Sequence, residues 1–267
     1  MSIARHPLIL FGTKPPVIGG FDTDAQAFFD ASGITDSTQK NAVNQLVLDL
    51  KAASIWSKMK AIYPMVGGTA STHKWNLKDP RDLDAAFRLV FSGGWTHSST
   101  GALPNGTNAW ADTFWNPSTE APTSPTFGYY NRTNTAKGYD MGLGFGSTEF
   151  MITNRYSATA SAGAQIPNGG YRITATSATG FAVASMELGN TLILYKNGTN
   201  LNQQTGRTLS NTNSKLAIGA RNNGGTIAEY TDHECAFSFI GDGLSATDQS
   251  NLYTAVQEFN TTLSRNV

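Results

Sequence analysis

The sequence predicts a mainly β protein: a jelly-roll sandwich with a short N-terminal helical segment and a C-terminal helix. Three observations lead there. From Arg81 onward, short apolar runs recur between stretches rich in Gly, Asn, Ser and Pro, the pattern of sandwiches and jelly rolls. Asn197-Gly198 stands between two apolar runs, and an Asn-Gly pair is a strong hairpin signal because its tight turn needs positive φ at both positions. Residues 24–63 and 245–263 instead space their apolar residues as helices do.

Taken in order, residues 1–24 have no clean period, and Pro7, Pro15, Pro16 and Gly19-Gly20 break both helix and strand. They read as an extended arm. Its apolar Leu8, Ile9, Leu10 and Phe11 would anchor it on its own domain or on a neighbouring subunit. Residues 25–80 read as a helical lead and linker. A first helix over Asp24–Ala31 stops at Gly33, and Thr35 is the expected N-cap of a second, with Asp36 in its first turn. Val43, Leu46, Val47 and Leu50 form its stripe, and Ile55, Trp56, Met59 and Ile62 continue an apolar helical face up to Pro64. Such helices cannot bury themselves alone, so they should pack on the β-domain or on a partner. Residues 81–267 are the jelly roll and its closing helix. Strands are expected within Phe87–Phe91, Phe127–Arg132, Glu149–Asn154, Tyr171–Thr176, Phe181–Glu187, Thr191–Tyr195, Lys215–Ala220 and Cys235–Gly241. Phe181, Val183, Ile193, Phe237 and Phe239 are expected to be buried core between facing sheets. Ser245 with Asp248 three residues on is a variant capping box, and Leu252, Val256, Phe259 and Leu263 are the last helix's buried stripe.

Composition narrows the function classes. Only 14% of the 267 residues are charged and the formal net charge is zero. No Lys/Arg run offers a footprint for nucleic acid or an anionic membrane, and no apolar stretch is long enough to span a bilayer. Leu8–Phe11, followed by Lys14-Pro15-Pro16, is too short for a signal-peptide core, so synthesis in a cytoplasm without its own secretion signal is expected. One cysteine excludes an internal disulfide. Cys235 lies in an apolar strand and reads as a small buried hydrophobe, although His233, two residues away, would share its strand face if it were a catalytic thiol. The Asn-x-Thr triplets at Asn105, Asn131, Asn197 and Asn260 are read as chance in a chain this rich in Asn and Thr.

Sugar binding needs exposed rings beside polar groups. Trp95, Trp110, Trp115, Tyr129, Tyr130 and Arg132 meet that description in sequence, although rings suit cores and subunit interfaces equally well. A glycosidase needs two carboxylates that reach one sugar. Glu149 and Glu187 have no acidic partner at strand spacing, and Glu229, Asp232 and Glu234 lie together in what reads as a loop. A lyase needs Tyr, His and a cation. Arg132, Arg155, Arg172, Tyr130 and Tyr156 are available, while His73, His97 and His233 are scattered. No catalytic residue is assigned. Gly142-x-Gly144-x-Gly146 lacks the Lys-Ser/Thr of a phosphate loop and reads as a Gly-rich strand or bend. His and Cys are too few for a zinc motif, and no cofactor is expected.

The Tyr195-Lys-Asn-Gly198 turn, the Ile218-Gly219 strand and the Gly241-Asp-Gly-Leu-Ser245 helix start resemble the C-terminal half of laminin-G-like, concanavalin-A-like jelly rolls. That resemblance implies at most a calcium ion at one rim, with Asp140 and Asp232 as loop acids that could hold it. The stretches Gly33–Pro64, Val66–Pro80, Phe91–Thr107 and Gly241–Val267 are similar to structural proteins of tailed bacteriophages, in which a helical lead precedes a concanavalin-A-like domain. The similarity runs from about residue 25 to the end. It implies a virion component of head or tail, made in the host bacterial cytoplasm, homo-oligomeric and partnered by other virion proteins. A glycan-binding receptor or adhesin module on the host surface is the alternative, and a polysaccharide depolymerase the third reading.

Overall fold

Strand pairing in the computed structural model, which describes residues 20–120, 124–144, 149–157, 161–166, 169–187, 190–207 and 212–267, builds two sheets. Sheet A takes β1 (Met59–Tyr63), β3 (Trp95–Ser98), β4 (Gly101–Pro104), β6 (Pro125–Asn131), β11 (Gly180–Glu187), β12 (Thr191–Lys196), β13 (Thr199–Gln204) and β17 (Cys235–Asp242). Its order is β13-β12-β11-β6-β17-β4-β3, with β1 also on β17. Sheet B takes β2 (Val90–Ser92), β5 (Trp110–Asp112), β7 (Met141–Leu143), β8 (Phe150–Thr153), β9 (Ser161–Ile166), β10 (Gly169–Thr174) and β14 (Ala217–Ile218) in the order β10-β9-β8-β7-β14-β5-β2. A hairpin of β15 (Arg221–Asn223) and β16 (Thr226–Ala228) joins it at β7. The pairings are antiparallel apart from β15 with β7.

Three helices form a further layer on the outer face of sheet A: α1 (Thr23–Ser32), α2 (Ser37–Ala52) and α5 (Ala246–Thr262). Two short ones, α3 (Ala70–His73) and α4 (Pro117–Glu120), lie in loops. Sheet A is therefore covered on both sides, and successive side chains along one strand enter different cores. On β11, Phe181 and Val183 face the helices, where Phe28, Leu46, Val47, Leu252, Val256 and Phe259 meet them, while Ala182, Ala184 and Met186 face sheet B. Every residue of β6 is buried as a result. Phe181, Val183, Ile193, Phe237 and Phe239 are all buried, as the sequence predicts, but beneath the helices and not between the two sheets, because alternation along β11, β12 and β17 turns them to the outer face of sheet A.

Local signals explain most boundaries. Asn197 and Gly198 take φ of 50° and 74°, and the turn between β12 and β13 is the expected hairpin. Ser245 and Asp248 make the reciprocal capping box of α5. Gly33 ends α1 at φ 69°, its N–H donating to the Phe29 carbonyl. The N-cap of α2 is Asp36 rather than Thr35; its carboxylate accepts from the Gln39 N–H at 2.8 Å.

The largest departure is Met59–Tyr63, a strand and not the continuation of a helix. Ser54 at φ 60° turns the chain after α2, and the next residues pair with β17, Ile62 opposite Phe239. Ile55, Trp56, Met59 and Ile62 still share the helical-side core, because a bulge between Met59 and Ala61 places Met59 and Ile62 on one face. The arm residues Leu8, Ile9, Leu10 and Phe11 lie outside the described residues.

Candidate functional site

The sequence candidates divide sharply by burial. Trp115, Tyr129 and Tyr130 are 2%, 0% and 0% exposed, so none offers a ring face to a sugar. Trp115 packs edge-on to Phe150 in the core between the sheets. The hydroxyl of Tyr129 donates to the His233 carbonyl at 2.6 Å. That of Tyr130 donates to Gln257 Oε1 at 3.0 Å and accepts from the Val267 N–H. Arg132 is engaged likewise, with Nη1 2.8 Å from Glu234 Oε2 and Nε donating to the Arg265 carbonyl. These four sit on the sequence as a sugar site would, but the alternation of β6 sends one ring into each core.

Trp95 and Trp110 are half-buried and neighbours, the indole N–H of Trp95 donating to the Trp110 carbonyl at 3.1 Å. Trp95 fills the joint between Phe91, His97 and the backbone of Gly219. Trp110 and Asp112, two apart on β5, project to one face, while Ala111 between them is core. Phe114 follows at φ 59°, a conformation rare for a bulky residue, held by its N–H donating to Asp112 Oδ1 at 2.7 Å. Its half-buried ring carries Lys215 Nζ at 4.3 Å on one side and the Arg88 guanidinium at 5.8 Å on another. Lys215 also lies 3.4 Å from Asp112. Two rings and a carboxylate on or just after β5, with two cations beside them, thus lie next to the β2 edge of sheet B.

The acid and base groups lie elsewhere. At one rim, Asp140 is fully buried between the sheets. Its Oδ2 accepts from the backbone and side-chain amides of Asn154 at 2.6 and 2.7 Å, and its Oδ1 lies 2.5 Å from His233 Nδ1. Burial works to lower the His233 pKa, but the Asp140 charge and hydrogen bond and the Thr135 carbonyl outweigh it and hold the pKa raised. Lys196 Nζ reaches into this cluster from β12, donating to Asn154 Oδ1 and to the Ala178 carbonyl. The carboxylate proposed for calcium is therefore occupied by protein donors. Asp232 accepts from the Thr135 hydroxyl at 2.6 Å and does not join it. Among the described residues, no group of three or more His, Cys, Asp or Glu could hold a metal.

His73 and His97, scattered in sequence, meet with their Nδ1 atoms 2.9 Å apart. His73 Nε2 accepts from the Gly68 N–H, so His73 carries its hydrogen on Nδ1 and donates it to His97. Cys235 is buried, and burial pushes its thiol pKa up, the opposite of what a nucleophile needs. The carboxylates weighed for hydrolysis do not converge: Glu149 faces Arg221, Glu229 accepts from the Tyr156 hydroxyl, and Glu187 accepts from the Tyr195 hydroxyl. Glu187 does line a cleft of 710 Å³ at the start of α5 with Asp242 and Asp248, where Lys60 and Lys58 pair with the two aspartates. Among the described residues, no ring lines that cleft. Gly146 and the side chain of Arg172 lie outside the described structure.

None of the His–His, Asp–His or Lys–Asn meetings has a local sequence signal. The partners are 24, 93 and 42 residues apart and come together only through the sheet order.

Solved structures similar to this chain are β-sandwich proteins. A mutant of Trypanosoma rangeli sialidase displaying trans-sialidase activity matches at TM-score 0.53 and 10% identity, over 81% of this chain and 39% of that one. Domain 4 of AbnA, a GH43 extracellular arabinanase from Geobacillus stearothermophilus in complex with arabinotriose, matches at 0.49 and 11%, over 73% of this chain and 98% of the other. The CBM40 of Ruminococcus gnavus IT-sialidase bound to α2,3-sialyllactose matches at 0.38 and 12%, over 48% and 80%. This chain spans well under half of the sialidase, and at these identities the likeness is one of fold. No family model matches the chain, and no curated protein matches it in sequence.

Proposed function

We propose that this chain is a non-enzymatic jelly-roll module that contacts glycans through the edge formed by Trp110, Asp112 and Phe114, and that it serves on the surface of a bacteriophage particle. The glycan reading rests on that edge. Sugars present apolar C–H faces to rings and hydroxyls to charged groups, and here two rings stand beside Asp112, Lys215 and Arg88 on one outward surface. Of the six residues the sequence nominates, Trp110 is the one in this position. The virion reading rests on the phage-like segments within residues 25–267, with other virion proteins and a further copy of this chain as partners.

Binding of the purified chain to an array of bacterial surface glycans tests the first part. Wild type should bind a restricted set, and Trp110→Ala should abolish binding while the chain remains folded; equal binding by both would remove Trp110 from the site. Reducing-end or unsaturated-sugar release by the same protein would favour the depolymerase. A cryo-EM map of the particle, with or without this chain on its surface, decides the second part.

A further inference from the structure

We propose that Lys196 and Asn154 become joined by an intramolecular amide bond, with Asp140 as the proton relay, so that sheets A and B are covalently tied at one rim. Lys196 ends β12 of sheet A and Asn154 follows β8 of sheet B. The Lys196 amine lies against the Asn154 carboxamide oxygen, one bond from the carbon it would attack. The leaving nitrogen, Asn154 Nδ2, already donates to Asp140 Oδ2 at 2.7 Å. Asn154 and Asp140 are both 0% exposed and Lys196 is half-buried, so the carboxamide and the relay are held out of water while the amine reaches in from the rim. Holding two reactants in contact supplies most of what an uncatalysed amide exchange lacks.

Two features of the surroundings suit the chemistry. An amine attacks only when neutral, and burial draws the Lys196 pKa down to about 8, against a smaller opposing pull from Asp140. Roughly a tenth of the amine is then neutral at pH 7. The relay also needs a proton to give. His233 Nε2 faces the Thr135 carbonyl at 3.2 Å, which can only accept, so that nitrogen carries a hydrogen. The short His233 Nδ1 to Asp140 Oδ1 contact then holds one shared proton in the pair.

The step balances without a co-reactant. The Nζ lone pair adds to Cγ of Asn154, and the carbonyl electrons move to Oδ1. As the carbonyl re-forms, the Cγ–Nδ2 bond breaks and its electron pair leaves with Nδ2. Nδ2 takes the proton held by the Asp140–His233 pair and departs as ammonia. The surplus proton on Nζ passes to Asp140, which ends as it began. Nothing is oxidised or reduced. A chain with a single cysteine has no disulfide with which to staple its sheets, and this bond would close a loop across them.

Intact-mass measurement of the purified full chain, followed by a tryptic map, is the test. The expected result is a mass about 17 Da below that of the sequence, one ammonia lost, with a branched peptide linking Asn154 to Lys196 and no cleavage after Lys196. Lys196→Arg and Asp140→Asn should each restore the full mass and the linear peptides. A full-mass wild type overturns the proposal. So does ammonia loss with trypsin still cutting after Lys196, the signature of a cyclic imide at Asn197-Gly198 instead. The wild-type map decides the matter even where a variant fails to fold.

Discussion

Two buried polar seams cross this molecule, and each keeps a cation from water by different means. Between the helical layer and sheet A lies Arg265, 0% exposed. It donates to the carbonyls of Pro64, Met65 and Ala236 at 2.6, 2.8 and 2.8 Å and to Asn260 Oδ1, and it stacks on Phe259. All four acceptors are neutral oxygens. Between sheets A and B, His233 instead meets a carboxylate, Asp140. The difference teaches what each seam can respond to. Dipoles do not titrate, and burial draws the Arg265 pKa down only to about 9, so that cation persists at neutral pH. The second seam turns instead on the proton held by His233, and so it responds to pH. Neither adds as much stability as its contacts suggest, since desolvating a charge offsets much of what its partners return. What each secures is the register of the layers it joins.

Breaking the first seam should have the largest effect. Arg265→Ala leaves three backbone carbonyls buried without donors, and a loss of about 3–5 kcal/mol is expected in urea denaturation. A loss below roughly 1 kcal/mol would mean that water reaches those carbonyls and the seam is open.

The next effect is on acid stability, and it comes from a histidine with no countercharge. Burial first, then the charges of His97 and Arg265, hold the His73 pKa down at about 3. Unfolded, it titrates near 6.5. Between those values the unfolded chain binds a proton that the folded chain does not, so stability should fall as pH drops from about 6.5 toward 3, by at most ~1.4 kcal/mol per pH unit. His73→Gln should flatten that slope; an unchanged slope would place the acid sensitivity elsewhere.

His233 sharpens the contrast with the opposite sign. Its raised pKa contributes stability that is complete below about 6.5 and is lost as pH rises through the folded value. Asp140→Asn removes the countercharge and leaves burial, the largest single influence, which lowers, against the smaller raising effects of the Thr135 carbonyl and the Asp232 charge. NMR titration should therefore find His233 above 6.5 in the wild type and below it in the variant. A His233 signal that stays put would show that Asp140 does not hold its proton. The smallest stability effect is expected at half-buried Trp110: Trp110→Ala should cost about 1 kcal/mol, well below a core aromatic, while removing glycan binding.

The helical spacing of Val43 to Leu50, the capping box of Ser245 and the turn at Asn197-Gly198 were legible because each depends on neighbours within four residues. Met59–Tyr63 was misread because its apolar spacing suits a helix, and only pairing with β17 makes it a strand. Tyr129 and Tyr130 show the same limit for sites: adjacent in sequence beside Arg132, they look like a sugar platform, yet β6 is covered on both faces and buries each ring in a different core. The sequence says that the helices need a surface to pack on, but not that sheet A supplies it or that they cover β6.

The sequence by itself therefore determined the β-sandwich class, the helical segments at either end, the turn and cap positions and the apolar core strands, because these follow from short-range sterics and from the period of burial. Tertiary structure alone decided which rings stay at the surface, that His73 meets His97, and that Asp140, His233, Asn154 and Lys196 converge. Those meetings join residues 24 to 93 positions apart, and their chemistry depends on how far the second sheet and the helices exclude water from them.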